Sequence, residues 1–85
     1  MSTSSMECEL RPVARARIAT QLLPRERPRQ ILAGWGCGKP CDLCDRSITS
    51  AEVEYEIHET RADHAVSYRF HIACQAIWQL ELPAA

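Results

Sequence analysis

Cys41-Asp42-Leu43-Cys44 and, after residues 45–70, His71-Ile72-Ala73-Cys74 are the stretches whose reading decides the fold. Each is a pair of ligand-type side chains set three residues apart. Together they make the C-x2-C…H-x2-C spacing of a structural zinc site, with Cys41, Cys44, His71 and Cys74 as the ligands of one zinc ion. Four protein ligands closing a tetrahedron leave no open coordination position, so such a metal holds a fold and performs no chemistry. No catalytic residue is expected, and function falls to a surface.

The two halves of the site dictate different local structures. A C-x2-C knuckle works because its turn aims backbone N–H groups at the sulfurs, which favours thiolates. The residue after the second cysteine needs a left-handed backbone; glycine is usual there, and Asp45 tolerates it. His71 and Cys74, at i and i+3, project from one face where a strand enters a helix, and the positive helix N-terminus suits a thiolate. Cys37, four residues ahead of Cys41, is the alternative for that ligand position, and Cys8 reads as a free thiol. Five cysteines, an odd number in 85 residues, do not form a secreted disulfide framework.

Between the ligand pairs the pattern is period two. Val53, Tyr55 and Ile57 alternate with Glu52, Glu54 and Glu56, a strand with one solvated face; Val66, Tyr68 and Phe70 alternate with Ser67 and Arg69. Antiparallel pairing puts Val53 near Phe70, Tyr55 near Tyr68, Ile57 near Val66 and Glu54 opposite Arg69, with a loop over residues 60–65. A helix over 72–82 follows, ended by Pro83. Val53, Tyr55, Ile57, Val66, Tyr68, Phe70, Ile77 and Trp78 form the expected core, with Trp78 covering the sulfurs. His58 and His64 read as solvated.

Ahead of the knuckle, residues 1–9 are small and polar and read as a disordered tail. Residues 10–23 read as an Arg-rich amphipathic helix: Leu10, Ala14, Ile18 and Leu22 recur every four residues, Pro12 suits the first turn, and Pro24 stops the run. Residues 24–34 are a Pro/Arg linker in which Ile31-Leu32 forms a short strand or docks on the core. Residues 35–85 are the zinc module. Trp35, between glycines, either docks or is an exposed contact aromatic. A module this small needs a staple such as a metal.

The net charge of −1 hides an asymmetry. From Leu10 to Lys39, Arg11, Arg15, Arg17, Arg25, Arg27, Arg29 and Lys39 face Glu26 alone, whereas from Pro40 onward eight acids face three arginines. The Arg-rich arm and Trp35 are therefore the expected partner-binding residues, since arginine's planar fork suits carboxylate or phosphate. The alternative for the arm is docking on the acidic hairpin of its own chain, because the opposite charges attract and its apolar stripe needs a docking site. The partner is expected to be another protein, with the arm binding DNA or RNA as the alternative. The acidic hairpin opposes nucleic acid over most of the surface. No apolar run approaches a membrane span and the start lacks an apolar signal segment, so a cytoplasmic protein is expected, with no membrane and no small-molecule substrate.

Knuckle, hairpin and a helix carrying two ligands come in the order of a treble-clef zinc finger, a small zinc-stapled α+β fold. In spacing, residues 41–74 resemble the first finger of LIM domains and the DNA-break-sensing fingers of poly(ADP-ribose) polymerases. The fuller string, Gly36-Cys37-Gly38-Lys39-Pro40-Cys41-Asp42-Leu43-Cys44, then Ile48, then Tyr68-Arg69-Phe70-His71-Ile72-Ala73-Cys74 and Trp78, is similar to a group of short bacterial zinc-finger-like proteins. That resemblance covers roughly residues 12–81; it implies the fold and names no activity. There is no second LIM finger and no basic hairpin face of the break-sensing kind.

Two enzyme readings fail on spacing. Zinc deaminases share Pro-Cys-x-x-Cys, matched by Pro40-Cys41…Cys44, but need an upstream His-x-Glu, and no histidine precedes His58. An HNH-like nuclease, the remote alternative, is suggested by Asp63-His64, yet only Ala65 to Phe70 separate that pair from His71. The expectation is a non-enzymatic, regulatory interaction module.

Overall fold

The computed structural model describes residues 3–83. In chain order it consists of α1 (Thr3–Ala19), β1 (Leu32–Trp35), β2 (Val53–Arg61), β3 (His64–His71) and α2 (Ile72–Leu80). The three strands form one antiparallel sheet in the order β1-β2-β3, and the class is α+β, as the periodicities imply. No helix among the described residues is long and apolar enough to cross a membrane.

The first helix begins far earlier than the expected start at residue 10 and takes in the stretch read as a disordered tail, of which residues 1 and 2 lie outside the described residues. The reason is Met6, which packs against the core and extends the stripe of Leu10, Ala14 and Ile18 by one turn. Pro12 is consequently interior, where it removes one backbone hydrogen bond. At the other end Gln21 adopts φ 65, Leu22 N–H bonds Arg17 O at 2.8 Å and Gln21 N–H bonds Ile18 O at 3.2 Å, a Schellman-type stop. The reversal swaps two neighbouring leucines. Leu22, expected on the buried stripe, is 66% exposed, and Leu23 is fully buried.

The strand register differs from the expected one by two residues. Tyr55 pairs with Phe70, Ile57 with Tyr68, Glu59 with Val66 and Glu56 with Arg69. A two-residue turn at Ala62-Asp63, with φ of 47 and 67, replaces the expected six-residue loop and sets this pairing. Because side chains alternate with period two, a slip of two keeps every residue on its face, so the core survives the shift. Arg69 still reaches Glu54 (3.4 Å) as well as Glu56 (3.3 Å). The glutamate face is not fully wet, however: Glu54 is buried, covered by Arg69 and by the Cys37 thiol, 3.8 Å from its carboxylate.

The core lies between the sheet and the two helices. Phe70 and Trp78 stack with ring centroids 5.3 Å apart, and both are fully buried. Trp78 donates its indole N–H to the Pro24 carbonyl at 3.0 Å, anchoring the start of the presumed linker beneath α2. Ala14, Ile18, Leu23, Leu43, Ile48 and Leu82 join this core, which therefore extends beyond the expected hairpin and last helix, while Val53 is only half-buried. Helix α1, which carries Arg11, Arg15 and Arg17, packs on α2.

Candidate metal centre

The knuckle is built by a short backbone ladder. Gly38 N–H bonds Ile48 O, Ile48 N–H bonds Lys39 O, and Cys41 N–H bonds Arg46 O, each at 2.9 Å. Asp45 takes φ 65, the left-handed backbone expected there. Leu43 N–H points at Cys41 Sγ at 3.4 Å. The knuckle then clasps the outer edge of β3: Asp42 N–H bonds Arg69 O at 2.8 Å and Arg69 N–H bonds the Asp42 carboxylate at 2.7 Å. That clasp carries Cys41 and Cys44 to the junction where β3 hands His71 and Cys74 to α2.

The ligand atoms of Cys41, Cys44, His71 and Cys74 all lie within 4.8 Å of one another. The edges of a tetrahedron around zinc, with Zn–S near 2.3 Å, are about 3.8 Å, so the quartet needs only a small contraction to close. His71 Nδ1 lies 3.4 Å from Cys44 Sγ and 3.9 Å from Cys74 Sγ. Its other nitrogen, Nε2, faces Ser47 O at 3.3 Å and the Glu52 carboxylate at 3.5 Å. An Nε2–H given to those oxygens leaves the Nδ1 lone pair aimed at the sulfurs, the orientation a metal-binding histidine needs. Glu52 is itself fixed by the Thr49 N–H at 2.9 Å, which holds its carboxyl below the usual range.

The electrostatics fit a cation. The Cys74 thiol, donating to Cys41, together with the N–H groups of Cys44, His71 and Leu43, holds the Cys41 thiol down at about 4. Cys74 is pushed up, chiefly because its proton bridges to Cys41, and burial pushes Cys44 up. Three adjacent sulfurs resist carrying three negative charges together, and a divalent ion would let all three ionise. The donor set, three soft sulfurs and an imidazole, suits zinc-type metals over calcium or magnesium. Cys37 lies outside the quartet, exposed and beside Glu54, so the fourth position belongs to Cys41.

The residues expected to meet a partner divide into two sets. Arg11 and Arg15 converge on Glu81 at the end of α2, the latter at 2.9 Å. Arg17 donates to the Asp42 and Leu43 carbonyls at 2.7 and 3.0 Å and pairs with Asp45 at 2.9 Å. These three therefore brace α1 against α2 and the knuckle; the acids they meet are not the hairpin glutamates. Arg25, Arg27 and Arg29 are exposed and have no ion-pair partner among the described residues, and Trp35 is 71% exposed. Asp63 and His64 stand at the far end of β3 from His71. No family model, curated protein or solved structure matches the chain.

Sequence reasoning allowed the arm to dock on its own chain but placed that contact on the hairpin, and missed that Arg17 reaches the knuckle. The signal was present in Asp45, an acid on the knuckle itself, which pairs with Arg17. It also missed Glu52 and Ser47 as supports of His71, because contacts to an imidazole's second nitrogen have no fixed sequence spacing.

Proposed function

We propose that this chain is a non-catalytic zinc-binding protein, a treble clef whose single structural zinc is held by Cys41, Cys44, His71 and Cys74, and that it acts as a regulatory module by binding another protein. The observation that carries this reading is the division of the arginines. Arg11, Arg15 and Arg17 are engaged by the chain's own acids, whereas Arg25, Arg27 and Arg29 lie exposed and unpaired on the segment leading to Trp35. Charged forks without ion-pair partners among the described residues, on the segment that leads to an exposed aromatic, are the composition of an interaction surface. Catalysis is not proposed, because four protein ligands leave the metal no position for substrate or water. Reduced thiol ligands suit the cytoplasm.

The same exposed arginines favour a second reading, in which they neutralise nucleic-acid phosphates. Salt separates the two. If random DNA or RNA does not bind at low salt, or if binding does not weaken as salt rises, the phosphate reading fails. For the protein reading, wild type and an Arg25→Gln/Arg27→Gln/Arg29→Gln variant are compared in pull-downs with nuclease treatment. Loss of a nuclease-resistant partner by the variant, with zinc content unchanged, is expected; identical partner sets would overturn the reading.

A further inference from the structure

Strand β2 is longer than the strand beside it. β1 pairs with Val53 to Glu56 and stops at Leu32, so Ile57 to Arg61 have no neighbour on that side. The hairpin alternation shows which groups this exposes. Arg61 and His64 close a two-residue turn and form a hydrogen-bonded pair, so the backbone groups of Arg61, Glu59 and Ile57 point to β3. Those of His58 and Thr60 point the other way. The Gly36 N–H bond to Glu52 O agrees, since Glu52 has the parity of His58 and Thr60.

The preceding chain cannot fill this edge. Continuing the β1–β2 register places Gln30 opposite His58 and Pro28 opposite Thr60, and a proline has no N–H to give the Thr60 carbonyl. The segment instead bows away and leaves a groove of about 810 Å³. Arg25, Arg27 and Arg29 line one wall; His58, Thr60 and Arg61 line the other. Arg61 closes one end by donating to Gln21 O at 2.6 Å. Glu26 and Glu59 also border the groove, so four arginines face two carboxylates.

We propose that this groove takes an extended acidic peptide segment of a partner protein, which pairs with His58 and Thr60 as an added strand while its carboxylates meet Arg25, Arg27 and Arg29. The proposal rests on the protein-interaction reading above and names its site. The open edge admits about four residues, ~14 Å of strand, enough for two pairs of backbone hydrogen bonds. A second copy of this chain is the wrong occupant, because a two-fold contact here sets the arginine walls against each other. A DNA backbone offers oxygen acceptors only, and an RNA backbone adds one 2′-hydroxyl per nucleotide, so neither supplies the alternating N–H and C=O groups that His58 and Thr60 pair with in a strand.

The test uses the zinc-loaded full chain and a fluorescein-labelled Glu-Val-Glu-Thr-Glu-Val-Glu peptide, read by anisotropy. Binding is expected, weakened roughly tenfold or more by Arg25→Gln/Arg27→Gln/Arg29→Gln, by replacing the peptide's glutamates with lysines, and by N-methylating alternate peptide amides. Amide exchange at His58 and Thr60 should slow in the complex while Ala33 and Trp35 are unchanged. Several outcomes overturn the proposal: no binding by the acidic peptide, equal binding of its N-methylated form, protection at Ala33 and Trp35 instead, or tighter binding of an oligothymidylate. The N-methyl comparison changes only the ligand, so it does not depend on how well the variant folds. If the peptide fails while the triple variant still loses a nuclease-resistant partner, the groove proposal falls and the interaction reading stands. If the variant loses neither, both fall.

Discussion

Gly34, Gly36 and Gly38 sit at alternate positions of one segment, and the structure assigns them three different fates on conversion to alanine. A β-carbon at Gly36 would lie 2.3 Å from Thr49 O and 2.4 Å from Ile48 O, about 1 Å inside the closest ordinary contact. Neither obstacle is a side chain that can swing away, so the two backbone segments must part. Moving them by that amount stretches three bonds beyond hydrogen-bonding range: Gly36 N–H to Glu52 O, Gly38 N–H to Ile48 O and Ile48 N–H to Lys39 O, each 2.9 Å. Bonds worth about 1 kcal/mol apiece plus an overpacking cost of about 1–3 kcal/mol give a loss of roughly 4–6 kcal/mol. Gly38→Ala meets nothing, but its φ of +87 is unfavourable for any β-carbon, and a loss of about 1–2 kcal/mol is expected. Gly34→Ala meets nothing and has no positive φ, so it should be neutral or slightly stabilising. Urea unfolding at buffered free zinc, followed by circular dichroism, measures all three. Since Ile48 and Lys39 back the knuckle, Gly36→Ala should also weaken zinc retention against a competing chelator. Should Gly36→Ala prove as stable as Gly34→Ala, the close approach of these segments is wrong.

Purified protein should carry about one zinc per chain, and Cys44→Ser or Cys74→Ser should lose both the metal and most of the folded signal, because metal binding supplies folding free energy. Cys8→Ser and Cys37→Ser should keep both, and zinc loss in Cys37→Ser would reopen the ligand assignment. Trp78→Ala should cost roughly 3–5 kcal/mol in chemical denaturation, and a cost below about 1 kcal/mol would mean that its stacking on Phe70 contributes little. Glu81 is held below the usual carboxylate range by Arg15 and Arg11. A carboxyl depressed in the folded state stabilises above its unfolded pKa and loses that contribution as pH falls through its folded pKa. Wild type should thus exceed Glu81→Gln in stability at neutral pH, with the gap closing in acid; a pH-independent gap would show that the ion pairs are not its source.

Local chemistry was legible in the sequence where one residue's requirements decide the outcome. Asp45 had to be left-handed for the knuckle to close, and it is. The alternation of Tyr55 and Ile57 against Tyr68 and Phe70 gave the buried face of the hairpin, but not its register, because Ala62-Asp63 lacks the asparagine or glycine that announces a two-residue turn. The quartet of ligand-type residues was readable from two spacings. What decides between Leu22 and Leu23 is a left-handed glutamine, a residue with no preference for that backbone, and no periodicity reports it. The helix start was misread for a related cause: Met6 extends the stripe through a polar, serine-rich stretch whose composition resembles disorder. Glu54 looked solvated because strand alternation records which face a residue is on and says nothing of what crosses above that face.

The bond between Arg11 and Glu81 joins residues 70 positions apart. In a flexible chain, contacts of that span form slowly, since the search precedes any reward. Metal coordination at the quartet would change the length of that search. Tying 41 and 44 to 71 and 74 turns the intervening hairpin into a shortcut, and the effective path from Arg11 to Glu81 falls to roughly half, worth about 0.6 kcal/mol of closure entropy. The order of assembly follows. Hairpin and ion are expected to come together first, and the first helix to dock last. Refolding rates should accordingly depend on free zinc even when measured by a probe placed on α1.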